Sequence, residues 1–129
     1  MGNFSGNHDA RMLDDGTVTL HDNGTLYGRA PRAVRYQLDL VARKATMIEQ
    51  IVAPDAAGSG CCGSARKLSS GNWVTDWGGN SNSDEFTSSG TLVFQISFPG
   101  IFAYRTFPVL PGRLSPTDLR NGMNLQYPR

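Results

Sequence analysis

Ala10-Arg11-Met12-Leu13-Asp14-Asp15-Gly16 returns later in the chain as Ala65-Arg66-Lys67-Leu68-Ser69-Ser70-Gly71, an offset of 55 residues. The residues after each copy also match: the run Thr17-Val18-Thr19-Leu20-His21-Asp22-Asn23-Gly24 stands against Asn72-Trp73-Val74-Thr75-Asp76-Trp77-Gly78-Gly79. Self-similarity at this period is the mark of a repeat architecture. Each copy reads as strand, tight turn, strand, turn, with Gly16 and Gly71 supplying the backbone angles a short hairpin needs.

Beyond the first copy, Val34, Tyr36, Leu38 and Leu40 alternate with Arg35, Gln37 and Asp39, the pattern of a half-buried strand. Ala45 to Val52 supplies an outer strand of less regular pattern, and in the second copy Leu92, Phe94, Ile96 and Phe98 alternate with Val93, Gln95 and Ser97. Four short antiparallel strands per copy fit a propeller blade better than a sandwich, whose strands seldom recur as similar blocks of this length. The expected fold is therefore all-β, about two four-stranded antiparallel blades of a β-propeller. Residues 1–55 form the first blade and 56–100 the second, and 101–112 form an extended strand that begins a further blade or closes the ring. A tail at 113–129 carries one short helical turn. Ser115 is its N-cap, Pro116 its first position and Asp118 its third, with Asn121-Gly122 as the stop. Asn80 to Glu85 reads as a polar loop without the glycine and distal glutamate of a calcium loop. Two blades are not a complete domain, so the chain is expected to be part of a larger ring.

Composition bounds the function. With 12 basic and 11 acidic side chains spread along 129 residues, there is no electrostatic footprint for nucleic acid or an anionic membrane. No apolar run approaches the roughly 20 residues of a membrane helix, and the first residues of the chain do not read as a signal peptide. Cys61 and Cys62 are adjacent, a spacing that suits a mutual disulfide badly, and read as two buried thiols. With His8 and His21 as the only histidines, no metal-ligand set is expected.

Several short motifs lie in register along the chain: Phe4-Ser5-Gly6-Asn7-His8-Asp9-Ala10-Arg11, Asp22-Asn23-Gly24, Arg32-Ala33-Val34-Arg35-Tyr36, Cys61-Cys62-Gly63-Ser64-Ala65-Arg66, Gly71-Asn72-Trp73 and Tyr104-Arg105. Together they resemble the C-terminal part of the arylsulfotransferase family over nearly the whole chain. The resemblance implies a six-bladed propeller, periplasmic or secreted in its full-length form. It also implies transfer of a sulfuryl group from an aryl sulfate to a phenolic acceptor through a sulfated histidine, with no cofactor. His8 matches the position of that histidine. The residue type suits the chemistry, because a neutral imidazole nitrogen is a competent nucleophile at neutral pH. The resemblance further implies histidines and an arginine from blades outside this chain, so the chain alone is expected to be inactive.

Comparing the two copies separates fold residues from candidates. Arg11 recurs as Arg66, and alternation sets it on the strand face opposite His8, so both arginines read as structural. His8 has Gly63 at its equivalent place, which makes the histidine a departure from the repeat. Arg29, Arg32, Arg35 and Arg105 are guanidiniums able to take an oxyanion through paired donors. Of these, Arg35 reads as the solvent side of its strand, while Arg29 and Arg105, with Tyr104, are the candidate substrate-binding residues. Trp73 and Trp77 read as packing between blades, His21 as surface, and the glycosylation sequons at Asn3 and Asn23 as incidental. The alternative is a binding or scaffold propeller module without the chemistry, whose copies assemble into a ring. The expected partners are thus an aryl sulfate and a phenolic acceptor, and the remaining blades or further copies of the chain.

Overall fold

The computed structural model describes residues 4–109 and 112–128. The sequon at Asn3 lies outside them. Eight strands and a terminal helix make up the regular structure: β1 (Asn7–Met12), β2 (Val18–Asp22), β3 (Arg32–Asp39), β4 (Lys44–Val52), β5 (Ser64–Lys67), β6 (Trp73–Asp76), β7 (Asn82–Phe86), β8 (Leu92–Ser97) and α1 (Pro116–Gln126), with a 3-10 turn at Thr25–Tyr27. They form two four-stranded antiparallel sheets, β1-β2-β3-β4 and β5-β6-β7-β8, each in chain order. This is the strand arrangement expected of propeller blades.

The repeated motif makes the same turn wherever it occurs. Leu13 N–H donates to Thr17 O (2.8 Å) and Gly16 N–H to Leu13 O (2.9 Å), and Leu68, Asn72 and Gly71 repeat both bonds at 2.8 and 2.9 Å. Thr87-Ser88-Ser89-Gly90 builds the same hairpin once more, with Thr87 N–H to Thr91 O at 2.8 Å and Gly90 N–H to Thr87 O at 3.0 Å. The closing glycines stand at φ 78°, 91° and 86°, a region that disfavours any side chain. Strand register repeats as well: Val18 pairs Tyr36 where Trp73 pairs Phe86, and Val34 pairs Gln50 where Asp84 pairs Gln95. Each sheet also carries its bulge at the same place, between Arg35 and Tyr36 in one and between Glu85 and Phe86 in the other.

One core lies between the sheets. Ala33, Ile51 and Ala53 of the first sheet pack against Ala65, Trp73, Trp77 and Phe86 of the second, with both tryptophans fully buried. The expected role of Trp73 and Trp77 is thus observed. Beside this core Glu49 draws three donors to itself: Arg35 Nη1 (2.5 Å) from its own sheet, and Lys67 Nζ (2.5 Å) and Trp73 Nε1 (3.1 Å) from the other. Leu20, Val34 and Tyr36 form a second, smaller cluster on the outward face of the first sheet, with the Phe4 ring edge-on to Tyr36 at 6.1 Å. At the outer edge of the second sheet every residue of β8 is exposed.

Four expectations are corrected. Asn80 to Glu85 is not wholly a loop, because Asn82–Phe86 is β7; its polar residues are occupied, Asp84 accepting from Trp77 Nε1 and Ser83 donating to Asp76. The terminal helix begins with the expected capping box, Ser115 and Asp118 bonding reciprocally, but runs 11 residues straight through Asn121-Gly122. A single glycine without a following breaker lowers helix propensity without ending the helix. Arg35 is not on a solvent face. It points toward the second sheet, where it bonds Thr17, Asp15 and Glu49. Finally, His21 is not surface: its ring is completely buried and lies 6.1 Å from Trp77.

Candidate functional site

His8 sits at the start of β1, half-buried, where the first sheet meets the loop entering the second. Its Nε2 accepts a hydrogen bond from the Cys62 backbone N–H at 3.2 Å, so the ring proton is on Nδ1. Asn23 holds that loop in place, its Nδ2 donating to Cys62 O and to Gly6 O, both at 3.0 Å. Asn23 is buried and so committed to structure, which leaves its sequon no exposed side chain. Asn23 Oδ1 also meets His21 Nε2 at 2.9 Å. Burial drives the His21 pKa down to about 4, and the Asn23 bond only partly offsets it, so this second histidine is neutral at ordinary pH. Gly63 is what lets the two sheets close here: a Cβ at that position falls 2.4 Å from His21 Nε2 and 2.9 Å from Asp76 O.

A break in strand alternation sets the rest of the site. Between His8 and Arg11 the β1–β2 register shifts, with Asp9 at φ 53°, so His8 lies opposite His21 and Arg11 opposite Thr19. Partners opposite each other share a face, and so do Thr19 and His21; the bulge therefore brings Arg11 to the same face as His8, against the expectation from strict alternation. Asp9 is buried, and its Oδ1 accepts from Arg11 Nε and, across the seam, from Arg66 Nη2, both at 3.1 Å. Arg11 and Arg66 are equivalent in sequence but converge on one carboxylate. Burial, resisted by Asp9 and assisted by the neighbouring guanidiniums of Arg11 and Arg105, lowers the Arg66 pKa from its ordinary value.

The segment after β8 completes the surroundings. Gly63 N–H donates to Tyr104 O at 3.1 Å, and Thr106 exchanges bonds with the Ser64 hydroxyl through its N–H (3.1 Å) and its carbonyl (3.2 Å). Tyr104 and Arg105 are thereby carried to the loop that contacts His8. Arg105 stacks over the Tyr104 ring at 5.2 Å, and Arg66 lies over the Phe107 ring at 4.0 Å. Arg29 is placed differently. It bonds Asp22 at 2.6 Å beside Arg32, on a residue one position along the strand from His21 and hence on the other face. Of the four candidate residues, His8 and Tyr104 thus border the same Cys62–Gly63 loop, His8 through its ring and Tyr104 through its backbone carbonyl, and Arg105 follows Tyr104 in the chain. Arg29 serves a buried carboxylate that also accepts from Ser5 N–H and Gly24 N–H at 3.0 Å each.

Both cysteines are free, Cys62 buried and Cys61 partly exposed. The Cys61 hydrogen bond, followed by burial, pushes the Cys62 thiol up to about 11, which keeps it protonated and removes it as a nucleophile. Among the described residues no cluster of metal-ligating side chains occurs, and no helix is long and apolar enough to cross a membrane. Asp9 and Arg66 do not stand out in sequence, because the repeat marks Arg66 as a fold residue. The one signal there is the unbroken polar run Asn7-His8-Asp9 inside a strand, where alternation fails.

A family model described as Arylsulfotransferase (ASST) matches residues 1–99. No curated protein and no solved structure matches the chain.

Proposed function

Because the chain belongs to the arylsulfotransferase family, we propose that it takes part in sulfuryl transfer from an aryl sulfate to a phenol, with His8 as the group that carries the sulfuryl. The observation that supports this most is the position of His8. It is a half-buried imidazole with its proton on Nδ1, bonded to the loop that Tyr104 also bonds and next in the chain to Asp9 with its two arginines, at a point where the repeat has glycine instead. In the first step Nε2 attacks sulfur, the N–S bond forms, the S–O bond to the aryl group breaks and the phenolate leaves. In the second, the acceptor phenol oxygen attacks sulfur and the N–S bond breaks; the proton it loses balances the one taken up by the first phenolate. One difficult displacement becomes two easier ones. In this structure the Nε2 lone pair is held by the Cys62 N–H, so the first step begins with release of that bond.

The chain would supply part of a ring-shaped site. The bare face of β8 supports this: Ile96 is 47% exposed, while Ile51, its counterpart by strand register, is buried at 8% under the second sheet. A further sheet placed there, from the rest of a propeller or from another copy, would cover Phe94 and Ile96 as Trp73 and its neighbours cover Ile51. A second reading, a binding module in which His8 is structural, is favoured by the Cys62 bond alone. The two separate on one substitution in the full-length protein. His8→Asn abolishes p-nitrophenol release from p-nitrophenyl sulfate if His8 is the carrier; turnover retained by that variant would remove His8 from the mechanism.

A further inference from the structure

We propose that Arg11, Arg66 and Arg105 form a binding site for the sulfate group of an aryl sulfate ester, with Asp9 as the residue that positions it. This deepens the sulfuryl-transfer reading by naming what holds the oxyanion, and it rests on guanidinium geometry that exists whether or not His8 turns over. Two guanidiniums, Arg11 and Arg66, meet on a single carboxylate at the seam, and Arg105 stands near enough to Arg66 to act on its charge. Asp9, whose side chain is only 1% exposed, satisfies one donor on Arg11 and one on Arg66 through the same oxygen. Asp9 engages Arg66 through Nη2 only, which leaves the Nε side of that guanidinium to another acceptor, while the second oxygen of Asp9 is buried without a partner. Arg66 Nε is itself buried and unpartnered, and so is Arg105 Nε.

Arg105 is the most telling of the three. Among the described residues its side chain finds no hydrogen-bond or ion-pair partner at all; its only contact of note is the Tyr104 ring. Buried donors in folded proteins are almost always paired with protein, water or a ligand. Two electrostatically coupled arginines with unsatisfied Nε–H groups and an excess of positive charge define a place for an anion that offers several acceptor oxygens. The rings beside them select the form of that anion. Tyr104, 60% exposed, flanks Arg105, and Phe107, 60% exposed, flanks Arg66, which gives an aryl group apolar surface next to its sulfate.

The test is titration of the full chain, followed through arginine Nε–Hε resonances in 15N-labelled protein, with sodium sulfate, phenyl sulfate and sodium chloride at matched ionic strength. The Arg66 and Arg105 signals, assigned with Arg66→Lys and Arg105→Lys, should move saturably with both sulfates, with phenyl sulfate the tighter, and stay in place with chloride. Arg105→Gln removes no hydrogen bond, so it should leave thermal unfolding unchanged while weakening phenyl sulfate binding at least tenfold. Static resonances, equal shifts with chloride, or undiminished binding by Arg105→Gln would overturn the site. Saturable binding in a protein whose His8 never becomes sulfated would sink the transfer reading and leave this one standing. Sulfation of His8 with the arginine signals unmoved would do the reverse.

Discussion

Among single residues, Gly63 and His21 govern the seam. Gly63 stands at φ 102°, and its missing Cβ makes room for the buried His21 ring. Gly63→Ala therefore combines backbone strain with a clash against both a side chain and the Asp76 carbonyl. It is expected to cost on the order of 3 kcal/mol, measured by denaturant unfolding. Adding His21→Ala to that variant removes the side-chain part of the clash, so the double mutant should lose less than the sum of the two single losses. Strict additivity would mean that the two positions do not oppose each other. Gly63 is legible in the sequence as the repeat's counterpart of His8. The burial of His21 is not, because it depends on Trp77 from the other sheet, a contact that no local pattern displays.

For the strands, turns and helix, legibility depends on turn chemistry and alternation. The Leu13–Gly16 and Leu68–Gly71 hairpins, the alternating β3 and the hydrophobic β8 are all readable, because glycine at positive φ and period-two alternation leave direct marks on composition. Strand β7 is not readable. Asn82-Ser83-Asp84-Glu85 looks like a solvated loop, yet Ser83 and Asp84 are buried because β6, Trp77 and Thr106 satisfy them. The length of α1 is hidden for the opposite reason, since a stop signal in sequence ends a helix only where the chain has somewhere better to go. In the site, the β1 bulge defeats alternation and conceals the meeting of His8 and Arg11 on one face.

Across the whole molecule, buried titratable groups tie stability to pH. His21 has its pKa lowered from 6.5 to about 4, so the unfolded chain binds a proton in this interval that the folded chain refuses. Its contribution is complete above pH 6.5 and is lost as pH falls toward 4, a loss of about 3 kcal/mol. Glu49 and Asp22 follow. Burial opposes their ionisation, but Lys67 and Arg35 at Glu49, and Ser5, Arg29 and Arg32 at Asp22, hold both pKa values below the usual carboxylate range. Their contributions are present above the unfolded carboxylate pKa and disappear at still lower pH. Asp76 acts in the other direction, raised by burial and bonded by hydroxyls and a backbone N–H without a cation. Denaturant midpoints should therefore be level above pH 7 and fall between pH 6.5 and 4, and His21→Asn should flatten that first descent. A wild-type profile that stays level across this interval would show that His21 is solvated.

Residue, strand and sheet meet in one proposal, that the seam beside β1 presents His8 to a sulfate ester. Its most direct test is to expose the protein to p-nitrophenyl sulfate in the absence of a phenolic acceptor, digest it without acid, and locate the modification by mass spectrometry. The expected result is one sulfuryl group on the peptide containing Asn7-His8-Asp9, discharged when a phenol is added. Release of p-nitrophenol with that peptide unmodified, or with the sulfuryl group on another residue, would contradict it.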